Sequence, residues 1–318
     1  MASTRELNYQ DRLAGSIDAG TPVIDGQALA AGRWDELVPL ALASAREHGF
    51  LCIDLPPGHR KIAETTLQSA AAFFSLPDDR KVAVRDADAT FGWTPSHEEP
   101  AYQPGTVSNV ESFDAERPLI DTPDDRHWPD VPGFRDAVVD CWQEYAGLAD
   151  RILELLARAA GIEPMFLANR CGTRELNTLR LLHYPGGPVP SNPNEVGIAA
   201  HTDFECITLI YQTAPGLELR SPGGDWLDAP VAPGRLIVLL DDMLEHWTNG
   251  FLQATGHRVR RTLEERYSLV LFIAVDDGVE VAPLPEFVSA ENPPRYGPIG
   301  QAEHIEAEME RARAQLKA

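Results

Sequence analysis

Three groupings of residues in this chain are of a kind and spacing that could do chemistry. His201-Thr202-Asp203 sets an imidazole and a carboxylate two residues apart. In a strand, residues so spaced project to one face, so both groups could enter a barrel side by side. Alone, the doublet is weak evidence, and a hydrogen-bonded surface pair would account for it. A second imidazole changes its meaning, because two histidines and one carboxylate on one side of an iron leave positions open for a chelating co-substrate and O2. His257 is favoured for that place, since it follows Gly256 and opens His257-Arg258-Val259 as a strand would begin. His246 is the alternative, although Asp241-Asp242-Met243-Leu244-Glu245-His246-Trp247 reads as an acidic, turn-like connection. His183 falls on the strand face opposite Arg180 and Tyr184 by parity.

Arg266-Tyr267-Ser268 opens the apolar run Leu269 to Val275. Arg266 and Ser268 share a face by the same period-2 rule. An arginine facing into an apolar barrel needs an anion, because an unpaired buried charge is very costly. Its planar fork suits a carboxylate, and a serine hydroxyl adds a further donor. A dicarboxylate could then rest one end on Arg266 and chelate a metal with the other. The competing reading is a surface arginine bridged to Glu264 or Glu265. Arg180, on the face of Tyr184, could bind a carboxylate on the co-substrate or the substrate, or pair internally with Glu175 or Glu205. Phe91, Trp93, Tyr102 and Phe113 are candidate substrate-facing aromatics; packing of their loop on the barrel is the alternative.

The elements that must position these residues follow from periodicity. Helical spacing predicts helices over Trp34 to Glu47 (with Pro39 straining its first turn), Lys61 to Phe74 and Phe134 to Ala160. Phe50 to Ile53 reads as a buried strand. The second half changes period: Asn177 to Tyr184, Cys206 to Tyr211, Leu217 to Arg220, Leu236 to Leu240 and Tyr267 to Ala274 are short runs of Val, Ile, Leu and Tyr separated by turn residues. Such a succession predicts a mainly β protein with flanking helices, a jelly roll carrying a helical N-terminal region. The expected division is one unit, 1–318, with a support region at 20–135, a jelly-roll core at 172–278 and a terminal helix at 299–318. Residues 86–130 read as a long polar loop dotted with aromatics, and a loop of that length is usually functional or disordered.

Composition narrows the class further. Lys and Arg number 27 against 49 Asp and Glu, a net charge of −22. That field repels phosphate backbones and anionic lipid, so nucleic-acid and membrane-surface binding are disfavoured. Cys52, Cys141, Cys171 and Cys206 form no C-x-x-C pair and read as small buried apolar residues. No apolar run approaches the ~20 residues needed to span a bilayer, and Met1 to Glu6 lacks a leader-like layout. A cytoplasmic monomer acting on a small molecule is expected.

His201-x-Asp203, His257-Arg258-Val259 and Arg266-Tyr267-Ser268 together resemble the H-x-D…H…R-x-S pattern of the isopenicillin N synthase-like 2-oxoglutarate/Fe(II) oxygenases. The likeness continues through Gly216-Leu217-Glu218-Leu219, Trp226-Leu227-Asp228-Ala229-Pro230, Pro233-Gly234, Asp242-Met243-Leu244 and Trp247-Thr248-Asn249-Gly250. Upstream, Pro22-Val23-Ile24-Asp25, His48-Gly49-Phe50 and Glu111-Ser112-Phe113-Asp114 extend it over nearly the whole chain. The resemblance implies a distorted double-stranded β-helix of the cupin-like kind, with Fe(II) at His201, Asp203 and His257. It further implies 2-oxoglutarate on Arg266 and Ser268 with Tyr184 in contact, O2 as oxidant, and hydroxylation, desaturation or cyclisation of a small molecule, plausibly in specialised metabolism, with release of succinate and CO2. Leu182 stands where the common Asn-x-Tyr-Pro form has asparagine, so one familiar co-substrate contact is missing. Asp203 argues against the halogenases of this group, in which a small residue replaces the carboxylate. Some members of the family oxidise without 2-oxoglutarate yet keep the R-x-S pair, so such an oxidase is the nearer rival. A non-enzymatic β-barrel binding protein is the more distant one.

Overall fold

The computed structural model describes residues 21–85, 91–98, 102–121, 127–188, 192 and 194–316. Residues 1–6, on which the expectation about a leader rests, lie outside that set. Strands run at Val23–Asp25 (β1), Phe50–Asp54 (β2), Gly92–Thr94 (β3), Val107–Ser108 (β4), Glu111–Glu116 (β5), Thr178–Tyr184 (β6), Glu195–Val196 (β7) and Ile198–His201 (β8). They continue at Ile207–Gln212 (β9), Leu217–Arg220 (β10), Trp226–Asp228 (β11), Arg235–Leu240 (β12), His257–Val259 (β13), Arg266–Ile273 (β14), Glu280–Val281 (β15) and Ile299–Gly300 (β16). Helices occupy Gly26–Ala30 (α1), Trp34–Glu47 (α2), Pro57–Phe74 (α3), Asp78–Lys81 (α4), Arg117–Asp121 (α5), Phe134–Ala160 (α6), Asp242–Trp247 (α7) and Gln301–Leu316 (α8). None of the described helices is long and apolar enough to cross a membrane.

The fold is a jelly roll with helices on one side. An eight-stranded sheet runs β1-β2-β12-β9-β14-β6-β5-β3, and a four-stranded sheet runs β11-β10-β13-β8. Strict alternation decides what each strand of the large sheet shows to either side. On β14, Leu269, Leu271 and Ile273 pack toward α2, α3 and α6, whereas Val270 joins Leu217, Leu219 and Val259 of the small sheet. On β12, Leu236, Val238 and Leu240 take the helical side, while Ile237 and Leu239 face the small sheet. Both faces are covered, which is why these strands read as continuous apolar runs. Helix α6 stops where it was expected to, because Gly161 adopts φ +76° and its N–H bonds back to Ala157 O and Arg158 O. Pro39 is accommodated inside α2, near its exposed beginning.

The segment around 86–130 departs from the expectation of a loop. Its described residues include β3, β4, β5 and α5, and β5 is hydrogen-bonded to β6 along Glu111↔His183 through Glu116↔Thr178. The period was concealed because the inner face of β5 is polar, with Ser112, Asp114 and Glu116 there, while Phe113 and Ala115 point to the helical core. Phe113 is consequently not a substrate-facing aromatic. It is 0% exposed and lies against the rings of Phe73, Trp128 and Phe134, at centroid separations of 5.4, 6.1 and 5.0 Å.

Phe113→Ala is expected to cost about 3–5 kcal/mol of stability by opening a core cavity. Chemical denaturation measures this, and iron affinity measured alongside should not change.

Candidate metal centre

The small sheet builds the centre. His201 is the last residue of β8 and His257 the first of β13, and the two are direct antiparallel partners. Their rings sit 4.2 Å apart between centroids. Gly197, just before β8, permits this approach, since a Cβ there would lie 2.8 Å from Val259 O. A bulge between the His257 and Val259 pairings sets the local register. Asp203 arrives differently from the expectation of a shared strand face. β8 ends at His201 and the chain turns, which brings Asp203 Oδ1 to 3.5 Å from both His201 Nε2 and His257 Nε2. His246 does not join them. It lies on α7, stacked on Tyr296 at 4.1 Å.

Protonation suits a metal. His201 Nδ1 lies 2.8 Å from Ala199 O and His257 Nδ1 3.1 Å from Thr255 O. A carbonyl only accepts, so each Nδ1 carries a proton, and in a neutral ring so held it is Nε2 that presents the lone pair. Burial lowers the His257 pKa to about 4 against the pull of Asp203. Burial pulls Asp203 upward, but the charges of His257 and His201 outweigh it and hold its pKa at about 2. At neutral pH the set is therefore one anion and neutral His257, the states that metal binding requires. Asp203 Oδ2, buried, has no hydrogen-bond partner. Neighbouring Glu205 behaves oppositely, because burial, reinforced by the charge of Asp203, lifts it to about 8.

The second arm stands on the large sheet. Arg266 and Ser268, each 1% exposed, lie on the inner face of β14. Arg266 Nε donates to Ala214 O at 3.1 Å and Nη2 to Gln212 Oε1 at 2.8 Å, while the guanidinium lies 4.5 Å from the Tyr184 ring centroid. Arg266 Nη1 and Ser268 Oγ are buried without hydrogen-bond partners. A cavity of about 750 Å³ joins these atoms to His201, Asp203 and His257, with Leu182, Ile198, Ile210 and Val270 among its walls.

The other expected residues divide. Phe91, Trp93 and Tyr102 line this cavity, and Tyr102 stacks on His201 at 4.1 Å with planes 8° apart. Trp93 is largely committed elsewhere: its Nε1 donates to Glu111 Oε2 and its face carries the Lys81 ammonium. Arg180 also lines the cavity, but its internal partner is Asp114, through Nε–Oδ1 and Nη2–Oδ2 bonds of 2.8 Å each. Neither Glu175 nor Glu205 plays that part, and the premise of an arginine awaiting an external anion is removed. Sequence reasoning missed Gln212, which the inward parity of Thr208, Ile210 and Gln212 on β9 would have revealed. The terminal helix α8 lines the cavity as well, through Ile305, Glu306, Met309 and Glu310.

Residues 176–275 match the model of the 2OG-Fe(II) oxygenase superfamily, and residues 21–131 match the N-terminal region of the non-haem dioxygenases in morphine synthesis. A barley (Hordeum vulgare) relative named mugineic-acid 3-dioxygenase is 31% identical over 302 residues, spanning 90% of this chain and 83% of the relative. The chain belongs to the 2OG-Fe(II) oxygenase superfamily. The oxygenase is likewise similar to a full-length Neurospora crassa protein solved in complex with alpha-KG, with 25% identity, a TM-score of 0.77 and coverage of 92% and 95% of the two chains. A 2OG-Fe(II) oxygenase family protein from Caulobacter crescentus aligns at 28% identity and TM-score 0.76, over 92% of this chain and 99% of that one. Iron(II) and 2-oxoglutarate are thus the cofactor and co-substrate of this dioxygenase.

His257→Ala in the oxygenase should abolish tight iron binding, whereas His246→Ala should retain it. Anaerobic iron titration of the two variants decides this, and the reverse result would move the third ligand to α7.

Proposed function

We propose that this oxygenase oxidises a small molecule, with His201, Asp203 and His257 holding iron(II) and Arg266, Ser268 and Tyr184 holding 2-oxoglutarate. One observation carries the assignment: Asp203 Oδ2, Arg266 Nη1 and Ser268 Oγ are buried polar atoms without partners, and their residues line one cavity. Buried polar groups are almost always satisfied, so a shared ligand set is the economical account of three orphans together. When bound, the iron and 2-oxoglutarate supply the oxidising power, O2 being reduced as the 2-oxo acid becomes succinate and CO2 and a substrate carbon is hydroxylated, desaturated or closed into a ring.

The protein's share is placement. The two Nδ1–H bonds to backbone carbonyls fix the imidazole planes so that both Nε2 lone pairs converge near Asp203. Gln212 and Ala214 clamp Arg266 on two sides, which leaves Nη1–H as the donor for a carboxylate, and Ser268 Oγ–H supplies another. Tyr184 beneath the guanidinium stabilises its charge where burial lowers its pKa. The apolar walls exclude water and so strengthen the contacts to a carboxylate there. The barley relative is named for mugineic acid, and the Neurospora protein is solved with thymine. Both names support a small-molecule substrate. The carboxylate-bearing substrate expected from Arg180 is not carried forward, since Asp114 already takes that guanidinium.

Anaerobic addition of Fe(II) and then 2-oxoglutarate should produce the charge-transfer band of a chelated 2-oxo acid. Iron binding without that band would favour an oxidase that needs no 2-oxoglutarate. Arg266→Lys keeps the charge but loses the fork. A charge-assisted hydrogen bond contributes about 1.5–3 kcal/mol, so titrating this band should show 2-oxoglutarate affinity at least ~10-fold weaker in that variant.

A further inference from the structure

The outer part of the same cavity carries charge of one sign. Apart from Arg266, its lining arginines are Arg85 and Arg180. Each is already neutralised within the wall, Arg180 by Asp114 and Arg85 by Glu98, whose Oε2 lies 2.5 Å from Nη2. Against them stand Glu116 at the end of β5, Glu175 just before β6, and Glu306 and Glu310 one turn apart on α8. Among the described residues, Glu175, Glu306 and Glu310 have no ion-pair partner. Alongside them the cavity offers aromatic faces from Phe91, Tyr102 and Phe204. That the cavity takes ligands does not depend on these acids. It follows from the unpartnered Arg266 Nη1, Ser268 Oγ and Asp203 Oδ2 at its floor.

We infer that the substrate of this oxygenase is a cationic small molecule, an amine or guanidine, whose charge is held at the mouth by Glu175 and the α8 pair Glu306 and Glu310. Carboxylates in a cleft with low-dielectric walls focus a negative potential that attracts cations and repels anions. The aromatic faces add to this, since a cation is drawn to the π cloud of a ring. Ile305 and Met309 sit beside the two α8 glutamates and give apolar contact to the uncharged remainder of such a molecule. The anionic co-substrate is not excluded by the same potential, because its partner Arg266 is a committed cation deep in the barrel. This inference names the substrate class of the site proposed above and rests on that assignment.

The test is equilibrium dialysis of three matched probes, 4-phenylbutylamine, 4-phenylbutanol and 4-phenylbutyrate, against anaerobic protein loaded with Fe(II) and 2-oxoglutarate. The amine should bind roughly 10-fold or more tightly than the carboxylate and more tightly than the alcohol, with its advantage shrinking as salt is added. Glu306→Gln with Glu310→Gln should weaken the amine several-fold and leave the alcohol unchanged. Asp35→Asn with Glu47→Gln, on the exposed face of α2, removes the same charge from the molecule and should have no effect. Equal or tighter binding of the alcohol or the carboxylate would overturn the inference. So would an equal effect of the two double variants, since bulk charge would then explain the preference. The charge-transfer band is recorded in the same samples: its absence would defeat the assignment of iron and 2-oxoglutarate, while the comparison of probes would still read the charge preference of the cavity.

Discussion

Pairing of His201 with His257 across β8 and β13 is the contact around which the rest is arranged. Antiparallel partners in a sheet have a fixed separation, so two imidazoles are brought together by backbone hydrogen bonds and not by side-chain attraction. The approach depends on Gly197, whose missing Cβ leaves room for the Val259 carbonyl. Asp203 then needs only a turn of chain to complete the trio. Everything else supports that register: the large sheet closes the other side of the barrel, and the helices α2, α3 and α6 cover the large sheet's far face. A one-residue slip of either strand would remove an imidazole from the site altogether.

Much of this was legible in the sequence because period 2 and period 3.6 were both strong. Helices α2 and α6 and strand β10 have the limits their periodicity indicated, and other elements moved by a few residues at their ends, where hydrogen bonding rather than hydrophobicity sets the boundary. His257 was separable from His246 because a strand start differs in composition from an acidic helical connection. The doublet at His201 was found by an incomplete argument. It assumed a strand through Asp203, whereas the strand stops two residues earlier and a turn delivers the carboxylate.

What could not be read was whatever depends on which strands are neighbours. Asp114 meets Arg180 because β5 lies beside β6, and the two residues are register partners separated by 66 positions in the chain. Phe113, one residue away, faces the opposite side and belongs to the aromatic cluster of the helical core. Local pattern placed neither residue, because the polar inner face of β5 hid its alternation. Gln212 was overlooked for a related reason: parity with Thr208 and Ile210 turns it inward, but its task of holding the buried guanidinium of Arg266 shows only once β9 and β14 are neighbours.

The two arms of the centre come from different sheets. His201 and His257 stand on the four-stranded sheet, and Arg266 and Ser268 on the eight-stranded one. A dicarboxylate that touches both arms is therefore a cross-brace between the two halves of the jelly roll. Its binding free energy is added to the stability of the folded state by mass action, because the unfolded chain offers no such pair of anchors. A barrel braced in this way would melt as a sensor of its own co-substrate, its resistance to heat or proteolysis rising with the 2-oxoglutarate supply.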